Sequence, residues 1–142
     1  MKKHLIRCVV LFVSSLWPLM MASDADPSSI KSETMLRADT GWNNIPYVAY
    51  PEGTPQLTVL KITVPAHEEL KWHSHPMPTA AYVASGEITI EEKSGKKQHF
   101  STGQVIPETV NTPHRGTVGD TAAVFIVFYP SVKGLSLAKP EP

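Results

Sequence analysis

Sulfur chemistry is nearly absent from this sequence: its 142 residues hold one cysteine, Cys8, inside the first apolar run. The body of the chain can therefore close no disulfide and offers no thiolate to a metal. Net charge is missing as well, with 13 basic and 13 acidic side chains. No basic balance exists to track a phosphate backbone, so nucleic acid is excluded as an expected partner. There is no phosphate-cradling glycine loop, no dinucleotide fingerprint and no G-x-S-x-G elbow. No isolated pair of carboxylates presents itself for acid–base work. Beyond the first residues no stretch sustains a helical period, which leaves strands as the building material.

What is present begins with a secretory layout. Lys2, Lys3 and Arg7 precede the apolar run C-V-V-L-F-V-S-S-L-W-P-L-M-M-A, and small residues follow at Ala22, Ser23 and Ala25. A spanning helix needs about 20 apolar residues, and this run is shorter and carries Pro18. Residues 1–22 are expected to be a signal peptide cleaved after Ala22 or Ala25, leaving a periplasmic or secreted protein without a stable membrane anchor. Cleavage removes three basic side chains and leaves 10 against 13 acidic ones, a net charge of −3. Residues 23–40 are polar and read as a flexible arm that docks through Ile30, Met35 and Leu36. Residues 41–132 are the folded domain, and residues 133–142, ending K-P-E-P, are expected to be a loose tail.

Within the domain, short runs of Val, Ile, Thr and Tyr alternate with Pro, Gly and Asn. Strands are expected at 57–64, 69–75, 80–85, 87–92, 98–101, 105–107, 114–118 and 122–129, a spacing that indicates an all-β sandwich or barrel. In I-T-I-E-E, Ile88 and Ile90 share one face while Thr89 and Glu91 meet water. The run 122–129 is apolar on both faces. It is expected to be covered twice, by the domain's interior and by a second sheet or a partner copy, making a homodimer a candidate assembly. Gly119 is expected to supply a positive φ in the last turn.

The chemistry concentrates in W-H-S-H-P-M-P-T at 72–79. On a strand, positions i and i+2 face the same side, so His73 and His75 aim into one space. Two inward imidazoles need partners for their ring nitrogens, and a divalent ion bound by neutral rings provides them. His114, between Pro113 and Arg115, is the candidate third ligand. His67 and His99 are expected at the surface, as are Arg115 and Tyr82 by strand parity, whereas Ala81 and Val83 share the inward face and leave room for a small ligand. Pro76 and Pro78 stiffen the rim. Glu108, the acid nearest His114, precedes a turn; it is expected to point outward and is assigned no role.

These residues fall into two runs: His73-Ser-His75, then Thr79 and Gly86; and Gly103, then Thr109, Asn111, His114 and Val118. Together they resemble the paired motifs of the cupin superfamily, over roughly residues 45–130. The resemblance implies a single-domain cupin-type β-barrel (a double-stranded β-helix, jelly-roll-like) with a three-histidine site for Fe(II), Mn(II) or Zn(II). Thr79 stands where the family has a glutamate ligand. Thr109 and Asn111 stand for a Pro and a Gly of the turn, and Val118 for an Asn; asparagine tolerates the left-handed conformation that glycine usually provides. Without the carboxylate an ion keeps its full charge, and the Thr79 hydroxyl is expected to hydrogen-bond a water or substrate atom beside it. The all-histidine set resembles that of thiol dioxygenases. It implies a dioxygenase-type oxidoreductase acting on a small anionic substrate, although no inward arginine or tyrosine can be assigned from the sequence. The alternative is a non-catalytic module that binds a small molecule or a metal.

Overall fold

Alternation between β-branched residues and turn formers produces nine strands in the computed structural model, which describes residues 29–142. The expected signal peptide and the start of the arm lie outside the described residues. Residues 33–142 form one unit, and no helix occurs among the described residues. The strands are β1 (Pro55–Val64), β2 (His73–Ser74), β3 (Ala80–Ser85), β4 (Glu87–Glu92), β5 (Lys97–Ser101), β6 (Val105–Pro107), β7 (His114–Val118), β8 (Ala123–Val132) and β9 (Lys139–Pro140). They build two antiparallel sheets, β1-β8-β3-β6 and β5-β4-β7-β2-β9. Apart from the β4–β5 hairpin, each strand lies in the opposite sheet from the one before it. That winding is a double-stranded β-helix.

The core is the set of inward positions. Ile88 and Ile90 of β4, Ala81 and Val83 of β3, and Ala123, Phe125, Val127 and Tyr129 of β8 are all buried. Strand β8 settles a parity that its composition left open: the odd positions face the core. Among the described residues no second sheet covers its even face. Phe128 is 42% exposed, and its cross-strand partner Val59 is 49% exposed. An antiparallel sheet needs only one packed face, and β-branched and aromatic residues suit the outer face of a strand as well as the inner.

Three further expectations are corrected. The run 69–75 is a strand only at His73–Ser74, with single bridges from Glu69 to Thr117 and from His75 to Val110. Gly119 does not adopt a positive φ. A Cβ there would lie 2.4 Å from the Glu87 carboxylate, the mobile end of a half-exposed side chain that can move aside. The tail is not loose. β9 pairs with β2, the Glu141 N–H donates to the Trp72 carbonyl at 3.0 Å, and Ser74 Oγ donates to Glu141 Oε1 at 2.6 Å. These bonds bury Ser74 and clamp the ligand strand from its open edge.

Candidate metal centre

Strand register brings the histidines together. His73 and His114 are directly opposed in the β2–β7 pair, so both rings leave the same face of the sheet. Their centroids are 4.6 Å apart. His75 lies just past the end of β2, its carbonyl accepting from the Asn111 N–H at 2.8 Å. Asn111 sits at φ 52°, the left-handed conformation expected of the residue standing in for glycine. The His75 ring is 5.0 Å from that of His73 and 5.3 Å from that of His114. Each of the three residues offers one ligand atom, and these atoms all lie within 4.8 Å of one another.

Backbone carbonyls decide which nitrogen each ring presents. Nδ1 lies 2.8 Å from the Lys71 carbonyl in His73, 2.8 Å from the Leu137 carbonyl in His75 and 2.8 Å from the Thr112 carbonyl in His114. A carbonyl can only accept, so each Nδ1 carries the proton and each Nε2 keeps a free lone pair. Thr109 Oγ1 stands 3.1 Å from the His114 Nδ1 as a second acceptor. Burial pushes all three imidazoles below their ordinary value. Neutral rings locked in this tautomer are the form that a metal ion requires. His114 Nε2 is also buried and without a hydrogen-bond partner, an orphan that an ion would satisfy. The donor set therefore fits a divalent cation.

The rings open into a cavity of about 70 Å³. Its walls include Ile62, Leu70, Ile88, Ile106, Phe125 and Val127, and among the described residues no lysine or arginine borders it. Ala81 lines this space, while Val83 is buried elsewhere in the core. Thr79 is buried without bordering the cavity, and its hydroxyl donates to the Met77 carbonyl at 3.2 Å. The expectation of a Thr79 hydroxyl held beside the ion is corrected accordingly.

Two polar residues at the cavity escaped the sequence reading. Tyr129, whose parity could not be assigned, faces inward with its ring 5.7 Å from that of His75. Burial, and then the nearby Glu108, push its phenol up to about 12. Glu108 points inward, not outward, and lines the same cavity. Its Oε2 is 3.4 Å from His114 Nε2. Burial raises its carboxyl above the ordinary range, against the opposing influence of His75. Alternation could have found it: Ile106 is an inward position of β6, and 108 has the same parity.

The remaining candidates lie outside the centre. His67 and His99 have side chains 72% and 53% exposed. Arg115 faces away from the cavity, paired with Glu69 and Glu91 and stacked 4.8 Å from the Trp72 ring.

The family model for the cupin domain matches residues 60–129. Among proteins of curated function no sequence matches. The fold is similar to that of the DMSP lyase DddQ from Ruegeria pomeroyi, at TM-score 0.53 and 17% identity, covering 61% of this chain and 45% of that one. It is also similar to a cupin-like protein from Thermotoga maritima, at TM-score 0.51 and 18% identity, over 60% of this chain and 64% of that one. The polyketide cyclase RemF from Streptomyces resistomycificus gives TM-score 0.50 and 17% identity, with 59% of each chain covered. This chain spans less than half the length of the lyase. At these identities the likeness is one of fold.

Proposed function

The chain belongs to the cupin superfamily, and from that premise we propose an exported metal-binding protein in which His73, His75 and His114 hold a divalent ion and present it to a small molecule. One observation carries the reading: three imidazoles have Nδ1 tied to backbone carbonyls, leaving Nε2 free as the ligand atom of each. Fe(II), Mn(II) and Zn(II) all suit such a set. When bound, the ion supplies Lewis-acid polarisation or redox chemistry according to its identity.

The rest of the chemistry belongs to the chain. The largely apolar walls favour an apolar ligand over water, and the Tyr129 phenol stays protonated as a hydrogen-bond donor. About 10–15 Å³ holds one water on this measure, so the 70 Å³ cavity takes a ligand of a few non-hydrogen atoms. With no cationic side chain on the walls among the described residues, the proposed substrate is neutral and largely apolar, in place of the anion that the thiol dioxygenase resemblance implied. The dioxygenase-type reading is retained because an inward tyrosine does stand beside the histidines. The DMSP lyase and polyketide cyclase neighbours add lyase and cyclase chemistry to the reactions worth assaying. A non-catalytic binding module is the outcome if no turnover accompanies binding.

The test is elemental analysis of protein purified from the periplasm, beside a His73→Ala/His114→Ala variant. Stoichiometric metal in the first and none in the second is expected, and equal metal content in both would overturn the reading. Oxygen uptake and product analysis with small neutral compounds then separate enzyme from carrier.

A further inference from the structure

Building on the three-histidine reading, we infer that the centre has a fourth, anionic donor: Glu108, delivered from the strand that lies opposite the position where this sequence carries Thr79. The family's glutamate position is empty of carboxylate here, but its cross-strand neighbour is not. In the β3–β6 pair Ala80 opposes Pro107, so one step further Thr79 opposes Glu108. The bond from the Glu108 N–H to the Thr79 carbonyl, 2.9 Å, continues the ladder to that pair. Directly opposed residues share a face with Cβ atoms about 4.5–5.5 Å apart. A carboxylate moved from one position to the other remains within reach of the same space.

Geometry around Glu108 supports this placement from three sides. The residue is 8% exposed and borders the cavity shared with His73, His75 and His114. Its backbone is held at both polar atoms, the N–H by Thr79 and the carbonyl by the Tyr47 hydroxyl at 2.8 Å, which fixes the direction of the side chain. Its Oε2 and His114 Nε2 face each other at 3.4 Å, and neither has a hydrogen-bond partner. That separation is longer than an ordinary hydrogen bond of about 2.7–3.2 Å. It suits two atoms sharing one ion: ligands each about 2.1 Å from a common metal stand about 3.0 to 3.4 Å apart in octahedral or tetrahedral geometry. A single cation satisfies both orphaned atoms; the carboxylate lies outside the set of ligand atoms within 4.8 Å of one another, so it joins the three rings by a turn of its side chain.

The consequence is electrostatic. Three neutral rings alone would leave a divalent ion with its full charge; with Glu108 the net charge falls by one and the hold on the ion tightens. The experiment titrates metal-free wild type, Glu108→Gln and His114→Ala with Co(II) by calorimetry, and records the visible absorption of each Co(II) complex. Glu108→Gln is expected to raise Kd by at least about tenfold, on the scale of losing a metal-site partner, and to change the absorption bands. Wild-type affinity and spectrum in Glu108→Gln, alongside lost binding in His114→Ala, would overturn the fourth donor and leave the three-histidine site standing. Unchanged binding in both variants would remove the site itself. If Glu108→Gln does not fold, Glu108→Asp, which withdraws the charge by one methylene, carries the same expectation of weakened binding.

Discussion

An imidazole offers a metal whichever nitrogen its other hydrogen bond leaves free, so the carbonyls beside these rings matter as much as the rings. For His73 and His114 the carbonyl belongs to the residue two positions earlier, Lys71 and Thr112. Thr109 adds a hydroxyl to the second of these. Replacing it in Thr109→Val keeps the volume and removes the acceptor. Calorimetry is expected to show metal affinity falling by about tenfold or less, with little change in the metal-free melting temperature. The ligands were legible because i, i+2 spacing on a strand is a geometric statement. Glu108 was equally legible by parity from Ile106, but as the residue before a turn it was expected to point outward. The tautomers were not legible, since the acceptor of His75 is the carbonyl of Leu137, brought in from a distant part of the chain.

Among the elements, β9 is the one that the sequence concealed. K-P-E-P has the composition of a loose end, and only the pairing of Lys139 with Ser74 and of Pro140 with His73 makes it a strand. Composition reports what a segment prefers alone, and it is silent about an open edge waiting elsewhere. The same reasoning explains why 69–75 was read too long: its alternation is real, but its neighbours supply a continuous ladder only at His73–Ser74. Strands β4 and β8 followed their patterns closely because each has an inward face of large apolar residues, Ile88 and Ile90 in one and Phe125, Val127 and Tyr129 in the other. Removal of residues 135–142 strips the acceptor from His75 and exposes the edge of β2. Metal affinity is expected to fall by about 10- to 100-fold, with a lower melting temperature and retained β-type circular dichroism. Undiminished affinity in the truncated protein would show that β9 plays no part in positioning His75.

For the whole molecule, the buried rings tie stability to acidity. Burial lowers their proton affinity in the folded state below the ordinary value of 6.5. The unfolded chain then takes up protons first, so the share of the metal-free protein's stability that rests on neutral rings is fully present above pH 6.5 and is lost as pH falls below it. Urea denaturation of Glu108→Gln, which lacks the opposing titration of the buried carboxyl, is expected to show midpoints declining toward acid, and a flat profile would contradict the neutral-ring picture. Metal at about 100 times its Kd should add about 2.7 kcal/mol near neutral pH, shifting the melting temperature upward. That gain should shrink in acid, because protons compete for the same nitrogens.

The weaving of the chain between its two sheets has one more consequence. Ligand residues lie in β2 and β7 or beside them, and the walls facing them come from β1, β3 and β8 of the other sheet. All three histidines precede β8 in the chain, so the grip is synthesised before the last wall of its enclosure. A growing chain holds an ion only loosely until β8 closes over the site, so tight chelation would be a certificate of completed assembly.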